Sequence, residues 1–232
     1  MPIQAKYEDE DDDGSMWTHF RTTPPMSTYQ VSVVLLNFCR VQINENINLW
    51  CAKCSKLPSL NYAKRVIEVI TSHLESEFNE IKIPKIDHIV FPNLQYNGIS
   101  KWGFAFYSEA DLICIEKFDP IMRQIEVARS IALKITSQWF GNVLSPAWWS
   151  QFWLYDGLAI LFGEEAVVKN TMRELISKTL EILRFEESPV ENDFIKLLRL
   201  EIVKWACTLE LPKCLEKAKS NLIEHLEDPE KK

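Results

Sequence analysis

The stretch that decides the fold is RSIALKITSQWFGNVLSPAWWSQFWLYDGLAILF, residues 129–162. It contains four of the eight tryptophans of the chain, Trp139, Trp148, Trp149 and Trp153. Apolar residues recur there at intervals of three and four, which places them on one face of a helix. The pattern predicts a helix over residues 122–140 and, after Pro146, a shorter helix over residues 148–162. We expect the tryptophans to pack in the core between these helices.

The composition is that of a globular chain and excludes some classes of function. Of the 232 residues, 47% are hydrophobic and 25% are charged, and the net charge is −7. Since no basic stripe is present, nucleic-acid binding is not expected. The acidic run of residues 8–13 lacks the glycine and the alternating ligands of a calcium loop, so it indicates a solvated loop. No apolar run is long enough to span a bilayer, and residues 1–15 do not form a signal peptide.

The remaining pattern predicts an α+β fold that is mostly helical. Residues 1–25 are polar and proline-rich, which indicates a linker with an acidic loop. Apolar and β-branched runs predict strands, and periodicity of three and four predicts helices. The predicted strands are 29–43, 47–52, 87–91 and 102–107, and the further helices are 58–78, 171–184, 192–209 and 212–226. We therefore expect an α+β domain over residues 26–168, followed by an all-helical segment over residues 169–232.

The six cysteines leave two interpretations open. Cys51 and Cys54 form a CxxC pair, but no second pair lies at the spacing of a zinc finger, so a structural zinc is not expected there. Cys207 and Cys214 flank a predicted turn between two helices. They indicate either a short disulfide, which would imply an oxidising compartment, or two buried thiols.

Four motifs occur in order along the chain: FRTTPPMSTY at 20–29, QWFGN at 138–142, PxWW at 146–149 and WLxxG at 153–157. In these motifs the chain resembles the zinc aminopeptidases related to aminopeptidase N, or membrane alanyl aminopeptidase, of the gluzincin type. The resemblance implies that residues 26–168 are an incomplete thermolysin-like catalytic domain and that residues 169–232 are a fragment of a helical C-terminal domain. It also implies a Cys207–Cys214 disulfide. The family location is the plasma membrane or the cell exterior, whereas the chain shows no signal peptide, membrane span or anchor signal.

The zinc site of that family has a recognisable pattern. A helix carries His-Glu-x-x-His immediately before Gln-Trp-Phe-Gly-Asn, and a Glu follows 19 residues after the second His. Counting back from Gln138, Leu133 and Ser137 stand at the histidine positions and Lys134 at the general-base position. Asp156 stands at the position of the third ligand, where it is either a residual ligand or a capping or surface carboxylate. Leucine has no donor atom and a charged lysine cannot accept a proton, so no metal or catalytic residue is intact and no cofactor is expected.

A second family signature, Gly-Ala-Met-Glu-Asn before Trp-Gly, binds the amino terminus of the substrate. Aligned on Trp102-Gly103, Ser100 replaces its Glu and Lys101 replaces its Asn. We therefore expect an aminopeptidase N-like protein that has lost zinc binding and peptidase activity and that binds peptides or proteins. One alternative is a working zinc metallo-aminopeptidase with other ligands. Another is a non-functional truncated fragment, since the family's N-terminal β domain and the segment with its catalytic tyrosine have no counterpart in the chain. The sequence assigns no oligomeric state.

Overall fold

The computed structural model describes residues 2–8, 16–78, 83–94, 99–141, 143–186 and 191–227. Most of the acidic run lies outside these ranges. The chain divides into two compact units, Met1–Val167 and Val168–Lys232. The fold is of the mixed α+β class and mainly helical, as predicted.

The first unit is built on a mixed five-stranded sheet and a separate hairpin. The hairpin joins β1 (Ile3–Glu8) to β2 (Met16–Phe20). The sheet consists of β3 (Cys39–Gln42), β4 (Ile47–Cys51), β5 (Ile86–Phe91), β6 (Ser100–Lys101) and β7 (Phe104–Ser108), in the order β3-β4-β5-β7-β6. The three inner strands run parallel and the two edge strands antiparallel. A parallel pair needs a crossover, and the helix α1 (Asn61–Glu77) supplies the one between β4 and β5.

Three further helices complete this unit: α2 (Glu109–Leu112), α3 (Ile121–Trp139) and the first half of α4 (Phe152–Leu183). Short 3₁₀ turns cover Thr28–Gln30, Cys54–Leu60 and Trp149–Gln151. The core lies between the sheet, α1 and α3, and it includes Ile67, Ile131, Ile135 and Trp139. Helix α3 buries the face that carries Ile131, Ile135 and Trp139. Its residues Leu133, Lys134 and Ser137 therefore lie at the margin of the core, where they are half-buried.

A tight turn joins β6 to β7 and explains one glycine. Gly103 has φ of +73°, and a Cβ there would lie 3.1 Å from the Lys85 carbonyl oxygen. Both the conformation and the close approach favour glycine. The turn also ends β6 after Lys101, so the strand predicted at 102–107 begins two residues later, at Phe104.

The second unit contains the rest of α4, α5 (Asp193–Thr208) and α6 (Pro212–Glu227). Its small core includes Ile176, Leu180, Ala206 and Cys214. A disulfide joins Cys207 to Cys214 across the α5–α6 turn. Arg199, 3% exposed, donates to the carbonyl oxygens of Leu183 and Arg184, which lie at the end of α4. In the part of the chain that the structure describes, no helix combines the length and the hydrophobicity needed to cross a membrane.

Two predictions for the amino-terminal region are wrong. Residues 1–25 were expected to be a linker, but they contain the β1–β2 hairpin, in which the Tyr7 and His19 rings meet edge to face at 5.3 Å. The strand predicted over residues 29–43 is reduced to Cys39–Gln42, and Leu35 is 94% exposed. The physical reason is the same in both cases: a strand exists only where a partner pairs with it, and composition does not specify the partner.

Predictions around the tryptophan stretch are also corrected. Trp139 is 1% exposed, as expected for the core, but Trp148, Trp149 and Trp153 are 73%, 71% and 73% exposed. The helices predicted at 148–162 and 171–184 are one helix, α4, because no proline interrupts the intervening residues and a single glycine is tolerated. Cys54 forms a disulfide with Cys39, whereas its CxxC partner Cys51 is a buried thiol.

Candidate functional site

A cavity of about 420 Å³ lies in the first unit, where α3 meets β6, the 3₁₀ turn Thr28–Gln30 and the start of α4. All six positions singled out in the sequence line it: Ser100, Lys101, Leu133, Lys134, Ser137 and Asp156. Aromatic and polar side chains complete the wall, among them Tyr29, Gln30, Trp149, Phe152 and Tyr155. The structure thus brings together four segments of the chain, at residues 29–30, 99–101, 133–141 and 149–159.

Leu133 and Ser137 lie one helical turn apart on α3, both facing this cavity. The Ser137 hydroxyl donates to the Leu133 carbonyl oxygen at 2.6 Å. Such a bond to the i−4 carbonyl is a common way for a serine to satisfy its proton within a helix. The pair therefore presents to the cavity an aliphatic side chain and a hydroxyl that already donates its proton within the helix.

Lys134 carries an ammonium group that two carboxylates influence. The side chain is half-buried, and burial lowers the pKa of Lys134 below the ordinary lysine value. The nearby charges of Asp156 and Asp111 act in the opposite direction and favour the charged form. Asp156 is exposed on the first turns of α4 and lines the same cavity. A cation and an anion thus stand together in the cavity wall.

Gln138 holds the β6–β7 hairpin against α3. Its side chain is fully buried, and its Nε2 donates to the Ser100 hydroxyl at 2.7 Å and to the carbonyl oxygens of Lys101 and Phe104 at 3.0 and 3.1 Å. Its Oε1 accepts from the backbone N–H of Gly103 at 3.0 Å. Ser100 in turn donates to the Lys134 carbonyl oxygen at 3.2 Å. In the sequence Gln138 was only the reference point for the motif, yet its side chain fixes the position of the hairpin beside the cavity.

Tyr29 and Gln30 connect the FRTTPPMSTY motif to the QWFGN turn. The Tyr29 hydroxyl and the Gln30 Nε2 both donate to the Gly141 carbonyl oxygen, at 2.9 and 2.6 Å. Lys101 Nζ donates to the Tyr29 carbonyl oxygen at 2.6 Å and lies 5.4 Å from the centre of the Tyr29 ring. The cation is thereby held at the cavity wall by a carbonyl dipole and an aromatic face.

An aromatic cluster forms one rim of the cavity. The Tyr29 ring lies 5.0 Å from that of Trp149 and 6.5 Å from that of Phe152, and the latter two rings are 6.0 Å apart. Sequence reasoning assigned Trp149 to the core and missed Gln30 and Phe152. The PxWW motif was the signal in the sequence that could have pointed to this rim. Helical periodicity alone does not show which residues at the start of a helix face solvent.

The cavity offers few donors to a metal ion. A catalytic zinc takes three protein ligands of the His, Cys or carboxylate type. The four positions that the resemblance assigns to the zinc site supply one carboxylate, Asp156. Among the described residues, no three His, Cys, Asp or Glu side chains come together as a metal site would require. His88 lies elsewhere, buried in β5 with its Nδ1 3.0 Å from the Tyr107 hydroxyl. The donor set around the cavity does not fit a zinc ion.

Comparison with known proteins places the chain in a family. The model of the Peptidase family M1 domain matches residues 58–195. Aminopeptidase Q of Homo sapiens is 32% identical over 174 residues, which are 72% of this chain and 18% of that protein. Aminopeptidase Ey of Gallus gallus is 30% identical over 166 residues and aminopeptidase N of Mus musculus 28% over 169, each alignment covering 68% of this chain and 17% of the relative.

The chain therefore spans less than a fifth of the length of these three relatives. The matched region nevertheless covers more than half of the chain, and it includes β6, α3 and the start of α4, the elements that carry the six cavity positions. This chain belongs to peptidase family M1, as a relative of aminopeptidase N.

Proposed function

We propose that this chain is an aminopeptidase N-like protein that has lost zinc binding and peptidase activity, and that its cavity binds a peptide or protein segment without cleaving it. The observation that carries the proposal is that Leu133, Lys134 and Ser137 of α3 line the cavity. The resemblance to the zinc aminopeptidases assigns these positions to two zinc ligands and the general base. By the same relation, we assign residues 26–168 to part of a thermolysin-like domain and residues 169–232 to part of a helical C-terminal domain.

Electrostatics argue against a metal beside Lys134. An ammonium about 5 Å from a divalent cation costs roughly 7 kcal/mol at an effective dielectric constant near 20. A good structural zinc site has an apparent affinity of roughly 10–16 kcal/mol. The repulsion would therefore remove about half of that affinity, and two of the three ligands are absent as well.

The same substitutions also argue for a loss of peptidase activity. The general base of a zinc peptidase takes a proton from the metal-bound water, and a lysine ammonium has no lone pair to accept it. At the position of the Glu that binds a substrate amino terminus, Ser100 offers a hydroxyl already engaged with Gln138 and the Lys134 carbonyl. The cavity, its aromatic rim and its hydrogen-bonded frame remain, which supports binding without turnover.

Metal analysis and an activity assay on the purified full chain test this proposal. Elemental mass spectrometry after incubation with zinc and gel filtration is expected to show far less than one zinc per chain. Hydrolysis of aminoacyl-anilide substrates is expected to stay at the background rate. One zinc per chain together with chelator-sensitive hydrolysis would support the zinc metallo-aminopeptidase instead. A chain without a cooperative thermal transition would support the third alternative, a fragment that has no function of its own.

A further inference from the structure

We propose that the cavity recognises a carboxylate group of its peptide ligand, held by the ammonium groups of Lys101 and Lys134. This inference rests on the proposed function and deepens it, because it names the chemical class that the cavity selects. The carboxylate belongs either to an acidic side chain or to a free carboxyl terminus. Both sources present the same planar anion to the two lysines.

The charge of the wall is the first argument. Among the described residues, the charged side chains that line the cavity are Lys101, Lys134 and Asp156, which gives one net positive charge. The chain as a whole carries a net charge of −7, so this local excess has the opposite sign to the molecule. An excess of one sign of charge in a cleft raises the local concentration of ligands of the other sign. An anion is therefore the favoured occupant.

The two lysines are held where a ligand can reach them. Lys101 donates one of its three N–H groups to the Tyr29 carbonyl oxygen. The other two N–H groups of the same ammonium can donate to a ligand. Lys134 lines the same cavity and is half-buried, and its ammonium group has three N–H donors. A ligand carboxylate would add a further charge-assisted hydrogen bond, stronger than a neutral one.

The aromatic rim specifies what accompanies the carboxylate. Tyr29, Trp149 and Phe152 form a continuous cluster beside Lys101, and Trp149 is 71% exposed. Clefts of roughly 300–1,000 Å³ that combine apolar walls with a few fixed polar groups are typical ligand sites. The observed volume of about 420 Å³ lies within that range. We therefore expect a peptide with an apolar side chain next to the carboxylate.

Binding of three matched peptides to the full chain tests the inference. All three are acetylated, share one short apolar sequence with phenylalanine at its centre and carry a fluorophore at the same place. The first has an internal glutamate and an amidated end, the second has glutamine and a free carboxyl terminus, and the third has glutamine and an amidated end. Fluorescence anisotropy is expected to show that the first or the second binds at least about tenfold more tightly than the third. Which of the two does so identifies the source of the carboxylate.

Variants then connect the preference to the two lysines. In K101M/K134M the preference is expected to disappear, so that all three peptides bind like the neutral one. In K117M, which removes an exposed lysine outside the cavity, the tenfold preference is expected to remain. K134R keeps the charge and is expected to keep most of the preference. If K101M/K134M does not fold, the salt dependence of binding to the unmodified chain is measured instead. Rising ionic strength is expected to weaken binding of the carboxylate peptide and to leave binding of the neutral peptide unchanged.

The outcomes separate the two levels of the proposal. Equal affinity for all three peptides would overturn carboxylate recognition and leave peptide binding intact. A carboxylate preference that survives in K101M/K134M would overturn the assignment to these lysines. No binding of any of the peptides would overturn both the inference and the binding role of the cavity, whereas the metal and activity measurements would still stand.

Discussion

His88 is the clearest case in which the fold changes the chemistry of a single side chain. It lies fully buried in the central strand β5, stacked on Tyr107 with 5.7 Å between the ring centres. Burial lowers the pKa of His88 to about 3, although the neighbouring Asp87 carboxylate acts to raise it. Asp87 accepts hydrogen bonds from Asn48 and Trp50 and pairs with Lys85. The neutral imidazole is thus built into the core of the sheet.

This burial predicts that acid destabilises the protein. Between pH 6.5 and about 3 the unfolded chain binds a proton at His88 that the folded chain does not, so stability falls as the pH is lowered through that window. We expect a loss of about 2 kcal/mol between pH 7 and pH 5, measured by urea unfolding. In H88N this part of the pH dependence should be absent, while in H19N, at an exposed histidine, it should remain. An identical pH slope in H88N would contradict the assignment.

The positions of four cavity residues predict that a zinc site can be introduced by substitution. Leu133 and Ser137 lie at i and i+4 on α3, and Asp156 faces the same cavity from α4. The quadruple variant L133H/K134E/S137H/D156E is therefore expected to bind about one zinc per chain, since two imidazoles and a carboxylate then converge. The control S137H, with one new ligand, should not bind zinc stoichiometrically. A folded quadruple variant without zinc would show that α3 and α4 are not held at the spacing that a metal requires.

At the scale of secondary-structure elements, the contact between α3 and α4 shapes the cavity. Gly163 of α4 faces α3, and a Cβ added there would lie 3.1 Å from Thr136 Oγ1 and 3.3 Å from the Leu133 nitrogen. A Cβ added at Gly157, earlier on α4, would have no atom within 4 Å apart from its chain neighbours and the backbone of its own helix. One glycine thus permits close packing of two helices, whereas the other is open to substitution.

The two glycines predict opposite effects of the same substitution. In G163A the added methyl group overpacks the α3–α4 contact, at a cost of about 1–3 kcal/mol that exceeds the gain in helix propensity of about 1 kcal/mol. In G157A only the propensity gain applies, so stability should rise by about 0.5–1 kcal/mol. Chemical denaturation of both variants measures the difference. If G163A were as stable as G157A, the close approach of the two helices would be wrong.

At the scale of the whole molecule, each compact unit has a hydrophobic core and a disulfide of its own. Cys39–Cys54 closes a loop of 15 residues in the first unit, and Cys207–Cys214 closes one of 7 residues in the second. A cross-link stabilises mainly by restricting the unfolded chain, and the effect grows with the loop. The second unit has the shorter loop but also a small buried core, so its disulfide provides a larger share of its stability.

Removing the two disulfides separately should therefore affect different parts of the chain. We expect C39A/C54A to lose about 3 kcal/mol and C207A/C214A about 2.5 kcal/mol. Hydrogen exchange followed by mass spectrometry should show the loss of protection in β3 and β4 in the first variant and in α5 and α6 in the second. Equal loss of protection throughout the chain in either variant would show that the two units unfold together.

Much of the fold was predictable wherever the signal is local. The helices α1, α3, α5 and α6 follow from apolar residues three and four apart, and β4 and β5 from short apolar runs. The six cavity positions were selected by their distances from QWFGN and Trp102-Gly103, and all of them line one cavity. The β1–β2 hairpin and the irregular course of residues 31–38 were not predictable in this way, because pairing depends on a partner strand.

The sequence by itself determined the chemical groups of four cavity residues, Leu133, Lys134, Ser137 and Asp156, because the identity of a side chain does not depend on conformation. It also determined the helical periodicity, which neighbouring residues specify. Only the tertiary structure decided that Trp148, Trp149 and Trp153 are exposed, that Cys54 bonds to Cys39, and that Lys134 sits half-buried beside Asp156. Exposure, cysteine pairing and pKa depend on groups that are distant along the chain and become neighbours only when it folds.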